Sequence, residues 1–308
     1  MIYTIKYGIV NSNIDVTQIC LDILCKNDTI HIPSNDYRRT VYFTDNNPGF
    51  TKSIFIYNNN NNMIGVYDHT MDIYINTIKN NISTRQNNLY RLPTNNNPSG
   101  KLDNIHKKLR ITYGDIEDEL PEQLMVAKYF NGREKVLELG GNIGRNSLVI
   151  ASIVDNTNFV TLECDYETSQ QLEYNRNLNN FSFFIEPSAL SKRKLIQQGW
   201  QTIESDIVLE GYKQVNTITW EELNNKYNIE FDTLVLDCEG AFYNIVIDMP
   251  EILKNIKTIV MENDYTDIMK KIKVDDVLLS NNFNVAHVEA GGWGPCYFNF
   301  FEVWKKCV

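Results

Sequence analysis

Two short acidic runs carry the residues best suited to chemistry, Asp237-Cys238-Glu239-Gly240 and Glu262-Asn263-Asp264. Carboxylates grouped this closely can move a proton, orient a hydroxyl or face a cation. A third feature is the run Lys135–Gly144, KVLELGGNIG, in which an apolar stretch ends in Glu138, Leu139 and the pair Gly140-Gly141. Glu163 follows some 23 residues after Gly140. An acid at that spacing behind a glycine turn is placed to accept hydrogen bonds from the two hydroxyls of a ribose.

These residues need elements to hold them. Strand, tight glycine turn and helix (RNSLVIASIV) make the start of a nucleotide-type βαβ unit. A dinucleotide turn needs Gly-x-Gly-x-x-Gly, whose second glycine admits the diphosphate. Here Asn142 stands in that place, between Gly141 and Gly144. The turn therefore suits an adenosine ligand without a phosphate, and S-adenosylmethionine (SAM) is the expected cofactor. Gly140, Gly141, Asn142 and Gly144 are its expected backbone cradle, and Glu163 with neighbouring Cys164 its ribose side. The run Ser188-Ala189 is expected at the adenine edge.

The periodicity downstream predicts strands at FVTLECD (159–165), FSFFIEP (181–187), FDTLVLDCEG (231–240) and KTIVMEND (257–264). Helical patterns intervene, with Asp165 as an N-cap. Residues 188–230 read as an irregular excursion around Trp200 followed by a short helix at Trp220–Lys226. FNVAHVE (283–289) and CYFNFFEVWKK (296–306) read as a closing antiparallel hairpin. The expected fold is α/β: a doubly wound, Rossmann-like methyltransferase sheet over 105–308 that ends in that hairpin. Residues 1–78 read as a small all-β, sandwich-like domain of short β-branched and aromatic runs, TVYFT (40–44) among them. Its one helical candidate is Asp15–Leu24, and 79–104 reads as a polar linker. A binding or dimerising role, with a homodimer formed through it, is the expectation for the β domain.

Several motifs in order carry a family resemblance. VLELGGNIGRNSL resembles the first motif of the FkbM-family SAM-dependent methyltransferases, and FDTLVLDCEGAFYNIV its Asp-x-Glu-Gly segment. IKTIVMEND is similar to its strand ending in Glu, and LECDYETSQQLEYNRNLNN to its second strand and Asn-rich helix. The chain departs from the family pattern in having Glu138 for Asp and Gly141 for Ala. The resemblance implies methyl transfer from SAM to a hydroxyl of a sugar, glycan or similar small molecule. Glu138 would then meet the methionine amino group. Asp237, Glu239, Glu262 and His287 are the candidate catalytic groups, Asp237 also touching cofactor. Trp293, in AGGWGP, is a candidate for stacking on a sugar ring. No metal is expected, although Asp237 with Glu262 or Asn263 would be the ligands if one assisted. Two alternatives stand beside this reading: a catalytically silent methyltransferase-like binding protein, and a nicotinamide-dependent oxidoreductase.

Bulk properties narrow the partners. The net charge of −10 is uneven: residues 1–100 hold 8 basic and 7 acidic groups, residues 101–308 hold 21 and 32. An acidic second half argues against nucleic acid, which demands clustered Lys and Arg. No apolar run is long enough to span a bilayer. The six cysteines have neither C-x-x-C spacing nor a His partner, so they read as reduced thiols of a cytoplasmic protein.

Overall fold

The computed structural model describes residues 3–34, 36–44, 47, 50–86 and 98–307, and the chain divides into two compact units, residues 1–91 and 92–308.

The second unit is built on a seven-stranded sheet. Its strands are β1 (Val136–Leu139), β2 (Phe159–Leu162), β3 (Phe184–Glu186), β4 (Thr233–Leu236), β5 (Thr258–Glu262), β6 (Phe283–Glu289) and β7 (Phe301–Lys306). Their spatial order is β3-β2-β1-β4-β5-β7-β6, parallel through the first five and antiparallel at β7. This is the doubly wound, Rossmann-like sheet with a terminal hairpin that the periodicity predicts. Strands β1, β2 and β4 are buried at every position, as strands covered on both faces must be. The helices are α1 (Pro98–His106), α2 (Leu120–Tyr129), α3 (Arg145–Ala151), α4 (Tyr166–Leu178), α5 (Trp220–Tyr227), α6 (Phe242–Asp248) and α7 (Ile268–Ser280). Helices α1, α2 and α3 pack in succession on one another, and α6 packs on α7.

The order of strands fixes where a ligand must lie. The chain moves outward from β1 through β2 to β3, then returns to the far side of β1 to begin β4. Beyond the carboxyl ends of β1 and β4 the two connections diverge, leaving a crevice at this topological switch point. The seam there is tight. Gly140 has a φ of +89°, and a Cβ on it would stand 1.5 Å from the Asp237 carbonyl oxygen. Only glycine lets the two strand ends close up in this way.

Residues 188–219 are more regular than the sequence pattern suggests. Ala189–Leu190 pairs in parallel with Thr217–Ile218. Leu195–Gln198, Gln201–Glu204 and Lys213–Val215 form a three-stranded antiparallel sheet. Arg193 ties this insertion to the end of α6, donating to both Asp248 carboxylate oxygens (2.5 and 2.9 Å) and to Glu204 (2.9 Å).

The first unit holds two four-stranded antiparallel sheets among its described residues. One has the order Ser12–Asp15, Tyr3–Ile9, Ser53–Asn58, Met63–Tyr67. The other runs Cys25–Lys26, Thr29–Ile32, Met71–Asn76, Asn81–Gln86. Ile5, Tyr7, Ile30, Ile32, Ile54, Ile56, Ile73 and Ile75 fill its core. Helix Thr17–Ile23 lies inside the predicted Asp15–Leu24. TVYFT is not a strand: Asp36–Phe43 is helical. Fully buried Arg39 holds that helix by donating to the carbonyls of Pro33 (2.8 Å) and Met71 (2.7 Å), a tertiary demand that local β-propensity does not reveal. Within the stretch read as linker, Asn81–Gln86 is a strand and Pro98–His106 a helix, while 87–97 lie outside the described residues.

Candidate functional site

A cavity of about 420 Å³ opens at the switch point, within the roughly 300–1,000 Å³ of small-molecule sites. Its floor is made by the carboxyl ends of β1, β2, β4 and β5, with α2 on one side and the 188–204 segment and α6 on the other.

The glycine turn comes first, because its backbone decides which ligands can bind. The N–H groups of Gly140 and Gly141 both donate to the Leu162 carbonyl (3.0 and 2.9 Å). That of Asn142 donates to Glu163 Oε2 (2.9 Å), that of Ile143 to Asn142 Oδ1 (2.9 Å), and that of Gly144 to the Gly141 carbonyl (2.8 Å). Five successive donors are therefore consumed inside the fold. A diphosphate is held by free N–H groups converging on it, and this turn offers none.

Glu163 is pinned from two sides, with Oε2 accepting from Asn142 and Oε1 from the Asp165 N–H (2.8 Å). Each oxygen keeps a second lone pair, and the carboxylate lines the cavity. Burial raises its pKa, and the two N–H donors oppose that shift. Cys164 is next along the wall, its thiol donating to Gln197 Oε1 (3.6 Å) and pushed up to about 12 by burial. Ser188 and Ala189 line the same end. Ser188 Oγ donates to Glu186 Oε1 (2.6 Å) and the Ala189 N–H to the Asn216 carbonyl (2.8 Å).

Three expected contacts lie behind the cavity wall. Glu138 is 2% exposed and turns to accept from Ser147 Oγ on α3, so its carboxyl, raised to about 7 by burial, does not face the cavity. Gly141 makes room for α4, since a Cβ there would meet Thr161 Oγ1 at 2.3 Å and Leu172 Cδ1 at 2.8 Å. Gly144 caps α3 with a φ of +96°. These two glycines shape the turn from outside the cavity.

Of the acidic candidates, Asp237, Glu239 and Glu262 all line the cavity. His287 does not. It lies on β6 beside Tyr129 with its Nε2 3.4 Å from Glu289, and burial lowers its pKa. Asn263 also turns away, donating to the Asn299 carbonyl (2.6 Å). Trp293 is half-exposed and outside the cavity, whereas Trp200, at the turn of the insertion, lines it.

The first turn of α2 and the residue before it bring two further carboxylates, Glu119 and Glu122. Glu119 accepts from Arg145 (2.8 Å) and from Asn142 Nδ2 (3.2 Å). Glu122 is 5% exposed, and its Oε2 has no hydrogen-bond partner among the described residues. A helix opening in Glu-x-x-Glu where the chain approaches the glycine turn was the available signal; the apolar face of that helix overshadows it. Glu119, Asn142 and Glu239 also share left-handed backbone, with φ of 63°, 47° and 51°. Asn tolerates that region, but two glutamates there represent strain stored where the cavity needs it.

The electrostatic result is a set of acids that cannot all ionise together. Burial, with Glu122 and Asp237 alongside, pushes the Glu262 carboxyl up to about 12. Burial and then Glu239 raise Asp264 to about 7, and Asp237 is carried well above the usual carboxylate range. Such groups keep protons in the folded protein that the unfolded chain releases near pH 4. Their contribution to stability is complete below about pH 4 and declines as pH rises toward each folded value, by about 1.4 kcal/mol per unit per group. The ligand-free protein is thus expected to unfold at lower urea concentration at pH 7.5 than at pH 5.5. An unchanged or higher midpoint at pH 7.5 would contradict the raised values of Asp264 and Glu138.

No family model matches the sequence, and no curated protein matches it. Solved structures align with the chain at low identity and low TM-score. A putative O-methyltransferase from Klebsiella pneumoniae is 11% identical over 70% of this chain and 92% of its own, with a TM-score of 0.38. An O-methyltransferase from Bacillus cereus, solved in complex with SAH, is 13% identical over 70% and 93%, with a TM-score of 0.39. A ribosomal protein L11 methylase from Lactobacillus delbrueckii subsp. bulgaricus is 10% identical over 64% and 82%, with a TM-score of 0.40. Likeness at this level carries no weight for an activity, which has to be argued from the site.

Proposed function

We propose that this chain is a SAM-dependent O-methyltransferase acting on a hydroxyl of a sugar or glycan-type acceptor. The observation that carries this reading is a cavity at the switch point whose glycine turn has spent its N–H groups and whose walls are carboxylates. A nicotinamide dinucleotide would bring its diphosphate into a cavity lined by carboxylates, Glu119, Glu122 and Asp237 among them, with no donor from the turn. A ligand bearing a sulfonium and an ammonium meets that wall with complementary charge.

The residues present fit the cofactor. Glu163 would hold the ribose hydroxyls, Cys164, Ser188 and Ala189 the adenine end, and Glu119, Asn142 and Asp237 the aminoacyl end. When bound, SAM supplies a methyl group made electrophilic by its positive sulfur. The chain's own task is alignment and proton removal. As the acceptor oxygen forms its bond to the methyl carbon it must lose a proton, and we assign that proton to the Glu239 carboxylate. Glu262, with its pKa near 12, already holds a proton in the ligand-free protein, whereas Glu239 is exposed to solvent and its pKa is raised only by partial burial. The sugar-type acceptor is supported by the FkbM-like motifs and by largely exposed Trp200, which lines the cavity together with Gln197 and Thr202.

Isothermal titration decides between cofactors. SAM and SAH are expected to bind and NAD is not. Binding of NAD in preference to SAM, or of neither, would remove the proposal.

A further inference from the structure

Residues 110–119, the approach to α2, are neither helix nor strand and contain no fully buried side chain. With so little apolar burial, polar side chains of the neighbouring helices hold them. Asn175 of α4 accepts at Oδ1 from the N–H groups of Thr112 (2.9 Å) and Tyr113 (3.3 Å). Its Nδ2 donates to the Tyr113 carbonyl (3.2 Å) and to the Ile143 carbonyl in the glycine turn (2.9 Å). Arg145, the first residue of α3, donates to the Asp115 carbonyl (3.0 Å) and to Glu119 Oε1 (2.8 Å), and pairs with Asp118 (3.1 Å). Asn179 and Gln123 bond the backbone nearer the two ends. The segment is a strap laid across the glycine turn: a Cβ on Gly114 would stand 2.1 Å from Ile143 Cδ1. An amide as fully buried as that of Asn175 is costly unless both its ends are bonded, and its four side-chain bonds all go to the strap and the turn. The strap ends at Glu119, which lines the cavity in left-handed backbone. Glu119 Oε1 is taken by Arg145 and Asn142, while its Oε2 has no hydrogen-bond partner among the described residues.

Resting on the methyl-transfer reading, we propose that Asn175 and Arg145 are positioning residues for the cofactor. They fasten the strap to the glycine turn, so that Glu119 meets the ammonium of the aminoacyl arm. Neither lines the cavity, and both act through Glu119. Left-handed backbone is costly for a glutamate and persists only where the surroundings impose it. Bonds that tie down the strap on one side of Glu119 supply that constraint, and without them the residue relaxes away from the cavity. The effect falls on the aminoacyl arm alone, because the adenosine lies at Glu163 and beyond. Coupling of this kind is reciprocal: if a fastened strap favours the arm, a bound arm fastens the strap to the same degree.

The test uses the full chain and compares SAH with methylthioadenosine, which has the same adenosine but no aminoacyl arm. SAH is expected to bind the unaltered protein more tightly, and to slow amide hydrogen exchange in residues 110–119 where methylthioadenosine does not. Asn175→Asp keeps an acceptor for Thr112 and Tyr113 but turns an oxygen toward the Tyr113 and Ile143 carbonyls. Arg145→Met releases the Asp115 carbonyl and Glu119. Each variant is expected to weaken SAH roughly tenfold and methylthioadenosine by less than about twofold. Asn179 and Gln123 still hold the strap near its ends in both. If Asn175→Asp does not fold, Arg145→Met and the exchange comparison on the unaltered protein still decide. Equal binding of the two ligands, equal losses for both in the variants, undiminished SAH affinity, or exchange slowed alike by both ligands overturns the proposal and leaves methyl transfer standing. If the unaltered chain binds neither ligand, the methyl-transfer reading falls and this proposal falls with it.

Discussion

Replacing Glu163 with alanine is expected to lower SAM affinity about 100-fold while leaving the fold in place. Hydrogen bonds to a charged acceptor contribute about 1.5–3 kcal/mol each, and the carboxylate has one free lone pair on each oxygen for the ribose hydroxyls. Each 1.4 kcal/mol is a factor of about ten, so loss of the pair reaches 100-fold even after water offsets part of it. The N–H groups of Asn142 and Asp165 lose their acceptor in the variant, but Asn142 lines the cavity and Asp165 is only half-buried, so water can replace it. Glu163→Gln should fall between the two proteins, because an amide keeps one acceptor oxygen and turns a donor toward the other position. Titration with SAM, read beside the urea midpoint of each variant, checks this. Unchanged affinity in Glu163→Ala would show that the ribose is held elsewhere.

The larger effect on stability is expected at Gly140. A methyl group there would lie 1.5 Å from the Asp237 carbonyl oxygen and 2.7 Å from its carbon, on backbone with a φ of +89°. Neither neighbour is the end of a flexible side chain. Relief would require β1 and β4 to separate at the seam where both are hydrogen-bonded through Val136–Leu139 and Thr233–Leu236. Gly140→Ala is therefore expected to cost more than about 4 kcal/mol, the range reserved for core strain and overpacking, or to prevent folding outright. Gly199→Ala is the control. It also has positive φ (+56°), but nothing lies within 4 Å of the added carbon. Its cost should be near the 1–2 kcal/mol of left-handed strain alone. Similar unfolding midpoints for the two variants would show that the seam is looser than the structure has it.

Much of the second unit is legible from residue order. KVLELGGNIG, FVTLECD, FDTLVLDCEG and KTIVMEND each contain the strand they predict, ending at the acids and glycines that suggested a site. Apolar runs buried on both faces announce themselves, and a glycine turn constrains its own backbone. The closing hairpin is legible too, although residues Gly294–Asn299 form a short 3-10 turn and β7 begins only at Phe301. In the first unit TVYFT could not be read locally, because the choice of helix is made by bonds from Arg39 to carbonyls on both sides of it in the chain.

The sequence by itself determined the kind of sheet, the position of its switch point and the absence of a phosphate seat, since these follow from periodicity and from glycine's freedom at single positions. Only the tertiary structure decided which side chains meet there. Glu138 and Glu163 both end inner strands, yet one turns beneath α3 and the other faces the cavity. Glu122 and Trp200 arrive from elements outside the strand ends, the helix before β1 and the insertion after β3, while His287 and Trp293, singled out by pattern, stay outside the cavity. Local propensity sets the path of the backbone; the direction of a side chain at a crevice depends on what packs behind it, and that is settled by the packing of separate elements.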